Sequence, residues 1–407
     1  MLIKDLLLRQ KGNDSIAIKQ GTNYISFRDW NNASALISND ILSLLSTKSI
    51  NIATLLPNSI NYAIAYFAVQ YANKVLIPIS IQSKEPELLS TFEYCETDLI
   101  ITDSKYLPFV QQTISKYNYR MSVYNIETSE LIEINMNKQF VPKTDGLTCS
   151  DSEDNVAIML HTSGTTSNPK RVMLTHRSII SNIESNIASL GLTIEDKVLI
   201  AMPMVFGYCN TAQFLTHLYL GALIVIMDTY FWPKQFFKIV ENERITNFTG
   251  VPTMLQMILK YRYIDEYDYS SIRYVCFGGG KMPLDDLKQL IERFPSIGFV
   301  QTYGQTECSP RVTALLPKFS VSKLGSVGTP IPGVQIRVVS ENGKDCSNNE
   351  KGEILVYGKN VMKGYYKQDI LTNKTIQDGW IHTGDIGYLD SDGFLYLTGR
   401  IKNMIIS

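Results

Sequence analysis

His161-Thr-Ser-Gly-Thr-Thr-Ser-Asn-Pro-Lys170 places small hydroxyls, one glycine and one cation directly behind the apolar run Val156-Ala-Ile-Met-Leu160. The run reads as a buried strand. The loop after it can turn backbone N–H groups toward an anion, with the hydroxyls and Lys170 as further donors, a combination suited to phosphate. It is not a Walker A loop, which ends Gly-Lys-Ser/Thr, whereas Lys170 stands between Pro169 and Arg171. Taken alone, a Ser/Thr/Gly/Asn/Pro cluster between periodic segments also describes a plain surface loop.

The surrounding chain supplies the frame. Between Tyr24 and Leu107, helical patterning alternates with Ile50-Asn-Ile-Ala-Thr-Leu-Leu56, Val75-Leu-Ile-Pro-Ile79 and Asp98-Leu-Ile-Ile-Thr102, an alternation that predicts parallel sheet. Lys197 to Ala201, Ala222 to Met227, Asn247 to Gly250, Tyr274 to Phe277 and Phe299 to Thr302 read as further buried strands separated by helix-length segments. The predicted class is α/β: doubly wound, mostly parallel sheets in two packed subdomains up to about residue 324. From 325 to 398 the turns crowd together. Gly325-Ser-Val-Gly-Thr-Pro330, Val334-Gln-Ile-Arg-Val-Val339, Gly352-Glu-Ile-Leu-Val356 and Gly393-Phe-Leu-Tyr-Leu397 predict a small antiparallel β unit. Glu127 to Asp154 is the most linker-like stretch.

With 407 residues and 44% hydrophobic content, the chain can bury a large core. Lys+Arg 38 against Asp+Glu 39 gives a net charge of -1, so no general attraction to nucleic acid or anionic lipid is expected, and a small-molecule partner is. The six cysteines have no CxxC spacing, which argues against a zinc site or disulfide framework and for a reducing compartment. The N-terminus has a charge within its short apolar stretch and no cleavage site, and Leu218 to Met227 is far short of the roughly 20 residues of a membrane helix. A cytoplasmic location with no membrane partner is expected.

The stretch HTSGTTSNPKRVMLTH, residues 161–176, resembles the signature of the AMP-forming adenylating enzymes, the superfamily of acyl-CoA synthetases, nonribosomal adenylation domains and firefly luciferase. Thr162, Ser163, Gly164, Thr165, Thr166, Pro169, Lys170, Val172, Thr175 and His176 match; Ser167 and Arg171 replace two glycines, and His161 stands where an aromatic is common. Gln301-Thr-Tyr-Gly-Gln-Thr-Glu307, after the strand-like Gly298-Phe-Val300, resembles the YGxTE motif. Phe277-Gly-Gly-Gly-Lys-Met-Pro283, Thr383-Gly-Asp385 and Gly399-Arg-Ile-Lys-Asn-Met-Ile405 are similar to the family's glycine-rich, TGD and GRxKDxI segments, with Asn403 in place of the usual acid.

The resemblance, from about Tyr24 to Ser407, implies roles residue by residue. Thr162, Lys170, Thr306 and Glu307 would be catalytic, with Glu307 helping to hold Mg²⁺ as a hard carboxylate suits a hard cation. ATP or AMP would lie against Thr162, Ser163, Gly164, Thr165, Thr166, Lys170, Gly279, Gly280, Lys281, Thr302, Tyr303, Gly304, Gln305, Thr306, Asp385 and Arg400. In that set Tyr303 offers a ring face to adenine, Thr306 a hydroxyl to the α-phosphate region and Asp385 a carboxylate to the ribose hydroxyls. Arg171 is expected to point to solvent.

Substrate choice would fall to Phe206, Tyr208, Cys209, Asn210, Thr249, Gly250 and Gly278. Amino-acid-activating members carry an Asp near the first of these segments to pair the substrate ammonium; Val205 to Asn210 has none, and an unpaired buried ammonium is costly. An acyl or aryl acid without an α-amine is therefore predicted, although many acyl-CoA synthetases carry a His near the position of Phe206. Residues 1–398 would form the family's large domain and 399–407 its hinge, at Lys402 and Asn403. The family continues with a smaller domain of roughly 100 residues. That domain carries a lysine that contacts the substrate carboxylate and α-phosphate; it is absent from these 407 residues, and none of them is assigned its role.

The implied chemistry is attack of a carboxylate on the α-phosphate of ATP, giving an acyl-adenylate and pyrophosphate. Transfer to the thiol of CoA or of a phosphopantetheine carrier protein follows. Lys170, the loop hydroxyls and Mg²⁺ would neutralise the triphosphate. An amino-acid adenylation domain of a peptide synthetase and a noncatalytic nucleotide-binding protein are the competing readings.

Overall fold

The computed structural model describes residues 1–44, 50–136, 151–161, 170–228 and 230–401. The chain divides into two compact units, Met1–Arg177 with Pro203–Phe206, and Ser178–Met202 with Gly207–Ser407.

In the first unit, β1 (Ile16–Gln20) and β2 (Asn23–Ser26) form an antiparallel hairpin. A sheet follows from β3 (Asn51–Leu55), β4 (Val75–Ile79), β5 (Leu99–Thr102), β6 (Met121–Asn125), β7 (Glu130–Ile134), β8 (Val156–His161) and β9 (Arg171–Thr175). Their spatial order is β9-β8-β4-β3-β5-β6-β7, parallel from β8 to β6 and antiparallel at both ends. Every residue of β3, β4 and β5 is buried, so these strands read as unbroken apolar runs, as expected where both faces of a parallel sheet are covered. The helix Ile60–Tyr71 begins at Ser59, whose hydroxyl accepts from the Tyr62 N–H at 3.1 Å, and it buries residues 62 to 70 without a break.

The second unit holds β10 (Lys197–Ile200), β11 (Leu223–Ile226), β12 (Asn247–Gly250), β13 (Tyr274–Phe277), β14 (Gly298–Gly304), β15 (Arg311–Leu315) and β16 (Thr329–Pro330). They lie in the order β16-β15-β14-β13-β12-β10-β11, parallel from β11 to β14 and antiparallel thereafter. The chain goes on through β17 (Val334–Val339), β18 (Gly352–Gly358), the short β19 (Gly364–Tyr365), β20 (Ile376–Gln377), β21 (Trp380–Leu389) and β22 (Leu395–Arg400). Of these, β17-β18-β21-β20 make a third sheet with β22 added on β21, antiparallel throughout. Two largely parallel sheets and a small antiparallel one are the architecture the sequence predicts.

The structure corrects four local expectations. The strand predicted to end at Thr302 runs on through Tyr303 and Gly304 as β14, because β15 returns antiparallel against it, pairing Gln301 with Leu315 and Gly304 with Arg311. The last strand runs to Arg400 rather than ending at Leu397, drawn on by pairing of Asp385 with Arg400. In the linker-like stretch, Glu130–Ile134 forms β7 on the edge of β6, while residues 137–150 are outside the described set. Arg171 does not face solvent: it is 3% exposed at the start of β9, where its guanidinium donates to Thr91 Oγ1 at 2.6 Å. Burial pulls its pKa below the usual arginine value.

Candidate functional site

Three neighbouring parallel strands of the second unit end side by side, since Gly250 pairs with Phe277 and Phe277 with Gln301. Their carboxyl ends deliver Thr249-Gly250, Gly278 to Lys281 and Gln301 to Glu307 to one rim, the place where open α/β sheets bind ligands. Close packing fixes the glycines there. A Cβ on Gly278 would stand 2.7 Å from both the carbonyl and the hydroxyl oxygen of Thr302, while Gly279 has φ +76°, a left-handed value that glycine takes without penalty. Gly279, Gly280 and Lys281 are exposed, and Thr302 is buried.

Thr302 Oγ1 donates to the Phe277 carbonyl at 3.1 Å and lies 2.6 Å from the Tyr208 hydroxyl, joining the turn at Tyr208 to the rim. Burial pushes the Tyr208 phenol up to about 12, with the nearby Arg311 charge pulling the other way, so it remains a neutral hydrogen-bonding group at physiological pH. Cys209 and Asn210 are fully buried, and the Cys209 thiol donates to the Met202 carbonyl at 3.3 Å. Asn210 opens a π-helical segment, Asn210–Leu215, capped by Cys209, a geometry found frequently at functional positions. Thr249 is buried in β12, and Gly250 is packed beneath the Phe248 ring and Leu255.

After β14 the chain turns through the single 3₁₀ turn Thr306–Cys308 and comes back as β15. A side chain on Gly304 would run into the Pro310 carbonyl, so the turn closes only with glycine there. Asn182 holds the return, its Nδ2 donating to the Arg311 carbonyl at 2.7 Å, and Asn360 Nδ2 donates to the Cys308 carbonyl at 2.9 Å. The buried Arg311 guanidinium is bonded to Asn186 Oδ1.

Asp385 is the centre of the arrangement. It is 5% exposed, yet its Oδ2 accepts from the Tyr303 hydroxyl at 2.8 Å and from Gln305 Nε2 at 2.6 Å, and its Oδ1 from Arg400 Nε at 2.7 Å. Gln305 Nε2 also donates to the Thr383 carbonyl at 3.1 Å. The turn carrying Asp385 is fixed from below: Glu353 accepts from the Gly384 N–H at 3.1 Å and lies 2.9 Å from His382 Nδ1, and Gly384 has φ +71°. Burial and the Asp385 charge push the Tyr303 phenol well above its usual value, so it donates as a neutral hydroxyl. Motifs 82 residues apart in sequence thus meet around one carboxylate.

Glu307 is half-buried and accepts at Oε1 from the Tyr365 hydroxyl at 2.9 Å; no protein donor reaches Oε2 among the described residues. Among those residues no group of three or more His, Cys, Asp or Glu could hold a metal ion. A lone hard carboxylate fits the way Mg²⁺ is commonly held, by one or two carboxylates together with the phosphates it accompanies. Tyr365, Glu353, Asn182, Asn186 and Asn360 escaped the sequence reading because each acts through tertiary contact and carries no spacing signal.

The first unit presents Lys170, half-buried ahead of β9, and Phe206, half exposed at 50%. His176, the last motif residue, has a structural contact: its Nδ1 accepts from the Ile3 N–H at 3.1 Å. Thr162, Ser163, Gly164, Thr165, Thr166, Lys402 and Asn403 lie outside the described residues.

The family model described as AMP-binding enzyme matches residues 8–366, most of the chain, including the glycine-rich and YGxTE-like segments at this rim. The chain belongs to that family. Among relatives of this AMP-binding enzyme, a feruloyl-CoA synthase from Amycolatopsis sp is 29% identical over 96% of this chain and 76% of its own. A 2-succinylbenzoate–CoA ligase from Bacillus licheniformis is 30% identical over 97% and 78%. Among solved structures, o-succinylbenzoate CoA synthetase from Bacillus subtilis in complex with ATP and magnesium ion superposes with a TM-score of 0.86 at 27% identity, covering 99% of this chain and 80% of that one. The same synthetase in complex with the acyl-adenylate intermediate OSB-AMP gives 0.84 at 27% identity, covering 97% and 98%. Among the described residues no helix is long and apolar enough to cross a membrane.

Proposed function

We propose that this AMP-binding enzyme is an acid–thiol ligase of the acyl-CoA synthetase type. It joins a small carboxylic acid to AMP at the expense of ATP, releases pyrophosphate, and passes the acyl group to the thiol of CoA. The observation that carries the reading is the Asp385 cluster. A nearly buried carboxylate framed by Tyr303, Gln305 and Arg400 at the rim of a parallel sheet is chemically suited to vicinal ribose hydroxyls, which donate to carboxylate oxygens. The named activities of the relatives support the same chemistry.

Gly278 to Lys281 and Thr302 to Gln305 form the wall against adenine. Thr306 bonds the α-phosphate region and Glu307 contributes to Mg²⁺; the resemblance assigns Thr162, Ser163, Gly164, Thr165, Thr166 and Lys170 to the triphosphate. Mg²⁺ supplies charge neutralisation on the phosphate oxygens; the protein's own part is to position the acid, exclude water and hold these donors in place. Tyr208, Cys209, Asn210, Thr249, Gly250 and Gly278 define the acid pocket in the second unit, and the resemblance adds Phe206 to the residues that select the acid. The acid has no α-amine, because Val205 to Asn210 contains no carboxylate to pair an ammonium. A phosphopantetheine carrier is the other acceptor of the same thiol chemistry. Residues 1–398 correspond to the family's large domain, and the resemblance assigns the hinge to Lys402 and Asn403.

ATP–pyrophosphate exchange over a panel of fatty, aryl and amino acids tests this. Exchange stimulated by a fatty or aryl acid and not by amino acids is expected. Selection of an amino acid would overturn the substrate class, and nucleotide binding without acid-stimulated exchange would overturn the ligase.

A further inference from the structure

Tyr365 is one of the larger buried side chains outside the motifs, 4% exposed, and its hydroxyl donates to Glu307 Oε1 at 2.9 Å. The segment that carries it is fastened around residues 307 and 308. The Met362 N–H donates to the Glu307 carbonyl at 2.9 Å, and Asn360 Nδ2 donates to the Cys308 carbonyl at 2.9 Å. Beyond the tyrosine, its own N–H donates to Thr372 Oγ1 at 2.9 Å, and that hydroxyl donates to the Gln368 carbonyl at 3.0 Å, clamping Tyr365 to the helix Asp369–Thr375. Gly364 has φ +149°, and a Cβ there would stand 2.6 Å from Thr372 Cγ2, so only glycine lets the strand press this closely. The backbone of Glu307 and the ring that meets its side chain are therefore fixed by one element.

We infer that Tyr365 is a positioning residue for the Glu307 carboxylate: it fixes Oε1 and thereby directs Oε2 toward the divalent cation that accompanies ATP. This rests on the proposed ligase function and on the role of Glu307 within it. A metal-ligating carboxylate that is itself hydrogen-bonded loses fewer orientations on binding, and removal of such an outer partner commonly weakens metal affinity about 10- to 100-fold.

The test is binding of Mn²⁺, as a paramagnetic probe for Mg²⁺, to the protein with a non-hydrolysable ATP analogue, together with the Mg²⁺ dependence of pyrophosphate exchange. The wild type is compared with Y365F, which keeps the ring and its packing, and with E307Q. Y365F is expected to need about 10-fold more metal for half-saturation, with metal-free analogue binding and thermal midpoint unchanged; E307Q is expected to show a larger shift. A Y365F metal dependence equal to wild type, beside a shifted E307Q, overturns the positioning role and leaves the Glu307 assignment standing. Wild-type dependence in both variants overturns the Glu307 assignment itself. Should Y365F unfold, T372V, which removes the hydroxyl clamping Tyr365, is expected to give a smaller shift in the same direction, and its absence overturns the inference.

Discussion

The two units solve the same problem with different means. Each unit has an antiparallel return that carries a motif in its sequence, β8 into β9 with residues 161–170 in the first unit and β14 into β15 with residues 301–307 in the second. Each returning strand even opens with a buried arginine, Arg171 opposite His161 and Arg311 opposite Gly304. The difference lies in what meets those cations. Arg311 is bonded at its side chain by Asn186 and at its backbone by Asn182, and Asn186 goes on to the Ala212 carbonyl and Thr216 hydroxyl. Arg171 has one side-chain bond, to Thr91, and leaves Nε and Nη1 without partners among the described residues. No carboxylate pairs with either arginine among those residues. Arg311 Nε also has no partner among those residues, yet more of the second return is hydrogen-bonded, so it is the more firmly held one.

Removing the two arginines should therefore have unequal consequences. R311M leaves the buried Asn186 Oδ1 without its donor inside the second unit and is expected to cost about 3 kcal/mol in denaturant unfolding. A loss under about 1 kcal/mol would show that the asparagine network holds the turn without it.

Acid should weaken both units by a shared route. Burial lowers His176 in the first unit and His217 in the second from the ordinary value of 6.5 to about 4. Both are neutral in the folded state, where His176 Nδ1 accepts from Ile3 and His217 Nδ1 lies 2.7 Å from the Gln213 carbonyl. Between pH 6.5 and 4 the unfolded chain binds protons that the folded chain does not. Stability is therefore complete above 6.5 and drains away as pH falls toward 4, by up to about 3 kcal/mol for each histidine. Thermal midpoints measured across that window should fall for the wild type and fall less steeply for H176Q or H217Q. Parallel profiles for all three would sever the link to these rings.

The smallest effect is expected at Arg171. R171M trades a poorly satisfied buried cation for an apolar side chain of similar length, and its stability should lie within about 1 kcal/mol of wild type or above it. A loss as large as that of R311M would remove the contrast between the two returns.

The sequence and the structure agree best where physical signals are local. Continuous apolar runs such as Val75 to Ile79 mark strands buried on both faces, and the glycine turns after 324 mark the antiparallel sheet. The order of motifs also made Asp385, Tyr303 and Gln305 legible as one constellation before their contacts were seen. What could not be read was tertiary. Nothing in the spacing of Arg171 distinguishes a surface cation from one folded under a neighbouring helix, and the same is true of Tyr365 and its aim at Glu307. Pairing across β14 and β15 likewise extended a strand past the point where hydrophobicity stops, because backbone bonds to Leu315 and Arg311 decide its end.

Calorimetric titration of Mg²⁺·ATP into wild type and D385N tests the central claim most directly, because Asp385 joins three motif segments at a single carboxylate. The account predicts saturable binding by the wild type and at least about 10-fold weaker binding by a folded D385N, as loss of charge-assisted hydrogen bonds would give. Equal affinity in the two proteins would contradict it.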